Sequence, residues 1–284
     1  METKIDDWVR AATPDRTTFR QAVHLILHAI AGDNYLRLRM IMKGGMLLGI
    51  RYSSSRFTED IDFSTHNTLP EIDQAEFEAH LREALVVAAD ELPYPVVCRL
   101  QSLKLQPRTG GTFPSFKLQL GYANTQDSNA VKRLERGAAP TTVKIDYSFN
   151  EASYELQALS LDGEETIQAY GLTDLLAEKL RSIIQQVVRK RNRRQDVYDI
   201  WYLLDTCPPL THREKQQVLD TFHKKAAGRL EPELLQQDIL RRSDIMQASG
   251  KEYALLRDEV SQPLPPFEEA YEQVAGFYES LPWQ

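Results

Sequence analysis

Two carboxylates separated by a single residue are the most chemically suggestive feature of the sequence. Asp60 and Asp62 lie within residues 59–63, where apolar positions alternate with them. On a β-strand, residues i and i+2 point to the same face, so both carboxylates would project together. Neighbouring carboxylates repel unless a cation lies between them, and Mg²⁺ prefers such hard oxygen ligands. The spacing predicts a divalent metal site, with Asp146 on another predicted strand as third ligand and Glu151 as the alternative.

A glycine pair lies upstream of these carboxylates, at the start of a predicted helix. Lys43, Gly44 and Gly45 precede an apolar run, and Arg56 and Thr58 lie in the connection that leads to the carboxylates. Backbone N–H groups at a glycine turn that opens a helix can approach phosphate oxygens closely. Each pattern alone is common, for steric reasons or on solvated surfaces. Together they predict a phosphate-binding loop followed by a metal site.

Later in the chain, a lysine and an aspartate lie on consecutive predicted helices. Lys179 borders the apolar stripe of its helix, so its ammonium can extend to solvent or reach a polyphosphate as a point charge. Asp196 lies near the start of the next helix and is followed by Asp199. There, Asp196 can interact favourably with the helix dipole or take part in a site. The residues alone leave these alternatives open.

The connection between these two predicted helices is strongly basic. Residues 189–194 contain five cations, namely Arg189, Lys190, Arg191, Arg193 and Arg194. Such runs are usually solvated helix ends, but next to a nucleotide site they can follow the phosphates of an RNA. Lys132, Arg133 and Arg136, in a predicted loop over residues 124–140, can extend that surface.

Taken together, these motifs resemble the AbiEii/MenT group of nucleotidyltransferase-like toxins, within the polymerase-β-type nucleotidyltransferase superfamily. The group's Lys-Gly-Gly and Arg-Xaa-Thr/Ser-Xaa-Asp-Xaa-Asp motifs match residues 43–45 and 56–62. Its later Glu-Lys-Leu and Asp-Xaa-Tyr-Asp motifs match residues 178–180 and 196–199. Gln195 is a departure, because many relatives have arginine at that position.

The resemblance implies the toxin of a toxin–antitoxin system connected with phage defence. It implies a nucleotidyltransferase with Mg²⁺ or Mn²⁺ as cofactor, in which Asp60, Asp62, Lys179 and Asp196 are the catalytic residues. Lys179 would hold the phosphates of an NTP substrate, and Asp196 would assist the attacking hydroxyl. The implied acceptor is the 3′ end of tRNA, so that translation stops. The implied partner is an antitoxin from the same operon, of winged-helix type.

Two other functions remain open at this point. A transferase of the same superfamily can modify the hydroxyl of an antibiotic or of a protein. A catalytically inactive member can serve as a binding partner, although the retained Asp60, Asp62, Lys179 and Asp196 favour an enzyme.

Hydrophobic periodicity predicts the elements that position these residues. Strands are predicted near residues 40–42, 59–64, 96–105, 115–122 and 142–148. Helices are predicted over residues 17–30, 46–50, 71–92, 173–190, 195–204, 213–225, 232–246 and 267–280. The pattern predicts an α+β fold, with a nucleotidyltransferase-like domain over residues 1–165 and an all-helical domain over residues 166–284. The first domain would contain a small mixed sheet flanked by helices.

Composition sets broad limits on the class of protein. The 284 residues carry 34 Lys and Arg against 41 Asp and Glu, a net charge of −7, which excludes a wholly basic nucleic-acid coat protein. Two cysteines exclude a four-cysteine zinc site, and together with the lack of a secretory start they indicate a cytoplasmic protein. His24 and His28 have the spacing of a helical zinc pair but lack a recognisable third ligand.

Overall fold

The computed structural model describes residues 4–107, 113–161 and 165–283. The chain divides into two compact units. Unit 1 comprises Met1–Ser53, Thr58–Glu151 and Leu156–Ala169. Unit 2 comprises Ser54–Phe57, Ala152–Glu155 and Tyr170–Gln284. Two short early segments therefore belong to unit 2, although most of that unit comes from the last part of the chain.

Unit 1 combines helices with a β-sheet. Its helices are α1 (Ile5–Arg10), α2 (Thr17–Gly32), α3 (Asn34–Arg37), α4 (Gly44–Arg51), α5 (Gln74–Glu91) and α6 (Ser128–Glu135). The strands are β1 (Ile41–Lys43), β2 (Asp60–Ser64), β3 (Val96–Gln106), β4 (Ser115–Asn124), β5 (Thr142–Ser148), β6 (Leu156–Ser160) and β7 (Thr166–Tyr170).

In the described part of the chain, the seven strands form one mixed sheet, in the order β3-β4-β5-β2-β1-β7-β6. Strand β2 runs parallel to β5 and antiparallel to β1. Strand β4 is antiparallel to both β3 and β5, and β1 is parallel to β7. A mixed sheet accompanied by helices confirms the predicted α+β class.

One face of this sheet is apolar and packs against α2 and α5. Strand alternation places Ile61 and Phe63 of β2 on this face, and both are fully buried. Tyr147 of β5 lies on the same face and stacks on Phe77 of α5, with ring centroids 5.4 Å apart. The intervening residues of β2 and β5 therefore point to the opposite face, away from the core.

Unit 2 is built mainly from helices. They are α7 (Leu172–Arg189), α8 (Arg194–Thr206), α9 (His212–Ala226), α10 (Ser243–Gly250) and α11 (Phe267–Glu279), with 3₁₀ turns at Pro232–Leu234, Ile239–Arg241 and Tyr253–Asp258. Helix α7 packs against α8, α9 and α10, and it buries Leu176, Leu180, Ile183 and Ile184 along one side. None of the helices in the described residues has the length and apolar character needed to cross a membrane.

Two predicted segments were wrong. The predicted loop over residues 124–140 contains α6, because Asp127 caps a helix by accepting from the N–H groups of Asn129 and Ala130, and Leu134 is buried. The helix predicted over residues 232–246 is interrupted, since Arg242 is extended and α10 begins only at the following residue. Strands β6 and β7 were missed as well, and only Leu159 of the five residues of β6 is buried.

Candidate active site

The sheet brings the predicted metal-binding carboxylates onto one face. Asp60 is exposed and Asp62 half-buried in β2, and Thr58, which precedes the strand, is also half-buried. Asp62 is aligned in register with Asp146 on the neighbouring parallel strand β5. Aligned residues of neighbouring strands project to the same face of a sheet. All three carboxylates therefore lie on the face opposite the buried Ile61.

Gly44 lies against Asp62 and leaves no room for a side chain. Its φ of +75° is in the left-handed region that favours glycine. A Cβ atom at Gly44 would lie 2.7 Å from Cγ and 2.8 Å from Cβ of Asp62, closer than packed atoms tolerate. Gly44 and Gly45 are the first residues of α4, with Lys43 at the N-cap. The glycine pair thus opens the helix and also allows Asp62 to lie close to the helix start.

Lys43 lies beside Asp62 on strand β1, on the side of β2 that is opposite β5. It is the last residue of β1, is aligned in register with Asp62, and is buried. Its Nζ lies 3.5 Å from Oε2 of Glu151, the alternative third ligand, which is also buried. Glu151 is therefore engaged by a lysine, and Asp146 is the carboxylate that the sheet aligns with Asp62.

Asp146 is contacted from the next strand by Lys117 of β4. The two residues are aligned in register, and the Lys117 ammonium contacts Oδ2 of Asp146. Oδ1 of Asp146 is buried and accepts no hydrogen bond from the described residues. A buried carboxylate oxygen without a partner, beside a second carboxylate, is unfavourable unless a cation is bound. The oxygen donors of Asp60, Asp62 and Asp146 therefore fit a divalent ion such as Mg²⁺ or Mn²⁺.

In unit 2, Arg56 and Lys179 converge on Asp199, which the motifs had not singled out as a site residue. Arg56 donates from Nε and Nη2 to the two carboxylate oxygens of Asp199 at 2.7 and 2.8 Å. Lys179 donates to Oδ2 of Asp199 at 2.6 Å and to Oδ1 of Asp196 at 3.2 Å. Only 8% of the Arg56 side chain is exposed, and the other three residues are buried. Asp199 therefore binds two of the predicted residues, and Lys179 in turn binds a third, Asp196. These four residues form the Asp199 cluster.

The charges in this cluster stabilise one another against burial. Burial would lower the pKa of Lys179, but Asp199 and Asp196 outweigh it and raise the pKa above its ordinary value. Burial would raise the pKa of Asp199, but Arg56 and Lys179 hold that pKa below its ordinary value. The pKa of Arg56 is raised because Asp199 outweighs burial in the same way. Arg56, Lys179 and Asp199 are therefore charged at neutral pH.

Lys179 and Asp196 are both buried, whereas the sequence had left open whether Lys179 extends to solvent. Lys179 is 6% exposed and does not extend to solvent. Oδ2 of Asp196 is buried and accepts no hydrogen bond within the described part of the chain. Nε of the half-buried Arg193 lies 4.0 Å from it. Asp196 and Asp199 are three residues apart on α8, so both lie on one face of the helix. This spacing is the signal in the sequence that could have identified Asp199 as a site residue.

The basic segment at residues 189–194 is only partly available to a ligand. Arg189, Lys190 and Arg191 are exposed, at the point where α7 ends with Lys190 in the left-handed region at φ 51°. Arg194 pairs with Glu259, with Nη2 2.5 Å from Oε1. In unit 1, the exposed side chains of Lys132 and Arg133 lie on α6, and Arg136 follows that helix.

The two histidines with zinc-pair spacing have separate partners. Nδ1 of His24 lies 2.9 Å from the Tyr94 hydroxyl. His28 places Nε2 2.9 Å from Glu91 and Nδ1 2.6 Å from Glu165. Among the described residues, His28 and these two glutamates have potential ligand atoms within 4.8 Å of one another. Each ring nitrogen of His28 faces its own carboxylate, an arrangement that holds an imidazole in place rather than directing one nitrogen at an ion.

Comparison with solved structures relates the fold to known proteins. JHP933 from Helicobacter pylori is similar, with 15% sequence identity, a TM-score of 0.55 and coverage of 95% of this chain and 93% of that chain. A putative nucleotidyltransferase from H. pylori has 13% identity, a TM-score of 0.49 and coverage of 95% and 96%. No curated protein matches the chain. The likeness to JHP933 shows a shared fold.

The sequence profile of one protein family covers most of the chain. The profile described as "Nucleotidyl transferase AbiEii toxin, Type IV TA system" matches residues 26–273. This region contains both the aligned carboxylates of unit 1 and the Asp199 cluster of unit 2. The chain therefore belongs to the AbiEii family of nucleotidyl transferase toxins of type IV toxin–antitoxin systems.

Proposed function

We propose that this chain transfers nucleotides from an NTP to the 3′ end of tRNA and thereby blocks translation. Family membership supports an NTP substrate, a divalent metal and an antitoxin partner. The observation that carries the proposal is the alignment of Asp62 with Asp146 on neighbouring strands, with Asp60 on the same face. This is an array of hard oxygen donors on a rigid element, next to a helix that begins with two glycines.

In unit 1, the three aspartates hold Mg²⁺ or Mn²⁺. The backbone N–H groups of Gly44 and Gly45 bind phosphate oxygens at the start of α4, with Lys43 and Thr58 completing the nucleotide site. A bound ion would neutralise the triphosphate and organise an in-line displacement.

In unit 2, Lys179 and Arg56 supply positive charge for the phosphates, and Asp199 holds both cations in place. Oδ2 of Asp196, which accepts no hydrogen bond from the described residues, takes the proton of the acceptor hydroxyl. The hydroxyl oxygen forms a bond to the α-phosphorus of the NTP. The bond from that phosphorus to the bridging oxygen breaks, and pyrophosphate leaves.

The acceptor is recognised through its phosphates. The exposed Arg189, Lys190 and Arg191 support an RNA acceptor, since a basic segment in an acidic protein attracts a polyanion. The protein acts in the cytoplasm, where NTPs and tRNA are present. Its partner is an antitoxin of winged-helix type encoded beside it.

The test is incubation of the purified protein with each labelled NTP, Mg²⁺ or Mn²⁺, and three acceptor pools: total tRNA, cell protein and small molecules. We expect the label in tRNA, at its 3′ end, only with metal present. Label in the protein or small-molecule pool would replace the tRNA assignment by a hydroxyl of that class. Absence of metal-dependent label from every pool would overturn the proposal in favour of a binding partner.

Matched variants connect the reaction to the aligned carboxylates. Asp60→Ala and Asp62→Asn should abolish transfer and growth inhibition while the protein stays folded. Asp90→Asn removes an exposed carboxylate from α5 and should leave transfer unchanged. A folded Asp60→Ala protein with full transfer would contradict the metal assignment.

A further inference from the structure

A row of aligned charged residues crosses four strands on the carboxylate face of unit 1. Lys117 of β4 is aligned with Asp146 of β5, Asp146 with Asp62 of β2, and Asp62 with Lys43 of β1. Residues aligned across strands share one face, so two carboxylates lie side by side with a lysine beyond each. Lys43 has a second carboxylate, Glu151, within 3.5 Å. Lys43 therefore lies between two carboxylates, Asp62 and Glu151, whereas Lys117 contacts Asp146.

The two oxygens of Asp146 also differ. Oδ2 is contacted by the Lys117 ammonium, while Oδ1 is buried and accepts no hydrogen bond from the described residues. An ammonium on one oxygen restricts rotation of the carboxylate, because a charge-assisted hydrogen bond has a preferred direction. The other oxygen is then the one available to an ion shared with the aligned Asp62.

We propose that Lys117 is a positioning residue for the metal site: it holds Oδ2 of Asp146 and thereby presents Oδ1 to a divalent ion. This inference rests on the proposed function, since it assigns a role toward the metal of that reaction. Groups that hydrogen-bond to a ligating carboxylate orient it, and their loss typically weakens metal binding by about 10–100-fold. Lys117 lies outside every motif of the sequence, so its role is inferred from the strand alignment and from its contact with Asp146.

If Lys117 instead competed with the metal ion, its removal would have the opposite effect on metal binding. If the ammonium only competed with a metal ion for Asp146, its removal would strengthen metal binding, since a nearby positive charge would be removed. The sign of the change in metal affinity therefore separates positioning from competition.

The experiment measures Mn²⁺ binding to the full chain by electron paramagnetic resonance, without nucleotide. We expect Lys117→Met to weaken Mn²⁺ binding by about 10–100-fold. Lys117→Arg, which keeps a cationic donor, should restore most of the affinity. Lys104→Met is the matched control, because Lys104 is exposed on β3 and aligned with Lys117 one strand further from the carboxylates. It removes the same charge from the same row and should leave the affinity close to that of the wild type.

The outcomes separate this inference from the proposed function. Unchanged or tighter Mn²⁺ binding by a folded Lys117→Met protein would overturn the positioning role, while Asp62-dependent binding by the wild type would still support the metal site. If the wild type bound no Mn²⁺, or if Asp62→Asn had no effect on binding, both the metal site and the role of Lys117 would be refuted. Thermal unfolding checks that each variant is folded. Lys117 is partly exposed, so Met is accommodated at its position.

Discussion

Arg56 binds Asp199 through two parallel hydrogen bonds, from Nε at 2.7 Å and from Nη2 at 2.8 Å. This paired geometry uses the planar fork of arginine against the two carboxylate oxygens, which a lysine cannot reproduce. Asp199 also accepts from Lys179, so one buried carboxylate holds two cations. Asp199 thus holds both Arg56 and Lys179 in position.

Asp199→Asn should destabilise the protein strongly. The substitution leaves the buried Arg56 and Lys179 without their main anion, and removal of one partner from a buried ion pair costs about 3–5 kcal/mol. Urea unfolding followed by circular dichroism measures the loss. Asp205→Asn changes an exposed aspartate on the same helix, α8, and should alter the unfolding free energy by less than about 0.5 kcal/mol. Equal stability of the two variants would show that the Asp199 cluster contributes nothing.

The same cluster predicts a dependence of stability on acid pH. The pKa of Asp199 is held low in the folded protein by Arg56 and Lys179 against the effect of burial. Its contribution is therefore complete above the unfolded value of about 3.9 and is lost as pH falls through the lower folded pKa. Melting temperatures measured below about pH 4 should fall more steeply in the wild type than in Asp199→Asn. Melting temperatures that fall equally steeply with pH in the two proteins would contradict this contribution of Asp199 to stability.

Gly44→Ala should disable the carboxylate site for a steric reason. A Cβ atom there would press on Asp62, and the φ of +75° is strained for alanine. Displacement of a catalytic group by about 1 Å can lower the rate about 100-fold, so nucleotide transfer should fall by about that factor. Gly276→Ala is the control, because nothing lies within 4 Å of a Cβ at that position in α11. Full transfer by Gly44→Ala would show that Asp62 can move without loss of function.

The basic segment predicts how RNA binding depends on salt. Lys190→Ala combined with Arg191→Ala should weaken tRNA binding and reduce the slope of log K against log salt, by about 0.7–0.9 for each phosphate that the protein no longer neutralises. Filter binding over a salt titration measures both quantities. Arg213→Ala with Arg257→Ala removes two other exposed cations from unit 2 and should change neither. Equal slopes for the two double variants would locate the RNA surface elsewhere.

Much of the carboxylate strand could be predicted from the sequence, because its chemistry is local. Asp60 and Asp62 share a face through the two-residue repeat of any strand, and the glycines mark a helix start without reference to distant residues. The contact between Lys117 and Asp146 could not be predicted in this way. It depends on which strands are neighbours and in what register, which no short motif encodes.

The helical residues illustrate the same limit. The motifs identified Lys179 and Asp196, yet the shorter contact of Lys179 is with Asp199. By its position on α8, either aspartate could be the main partner of Lys179. Which contact is shorter depends on how α7 packs against α8. Helix α6 was missed for a different reason. Its segment is polar on average, and Leu134 provides its only fully buried position in the described structure.

Arg56 joins unit 2 although it comes early in the chain. During synthesis on the ribosome, its guanidinium is made long before Asp199 and cannot bind that carboxylate until helix α8 has been made. A polypeptide that terminates between α7 and α8 contains Asp60, Asp62 and Asp146 of unit 1 but lacks Asp199, the residue that holds Arg56 and Lys179. An incomplete copy of this kind therefore lacks the buried ion pairs of the Asp199 cluster.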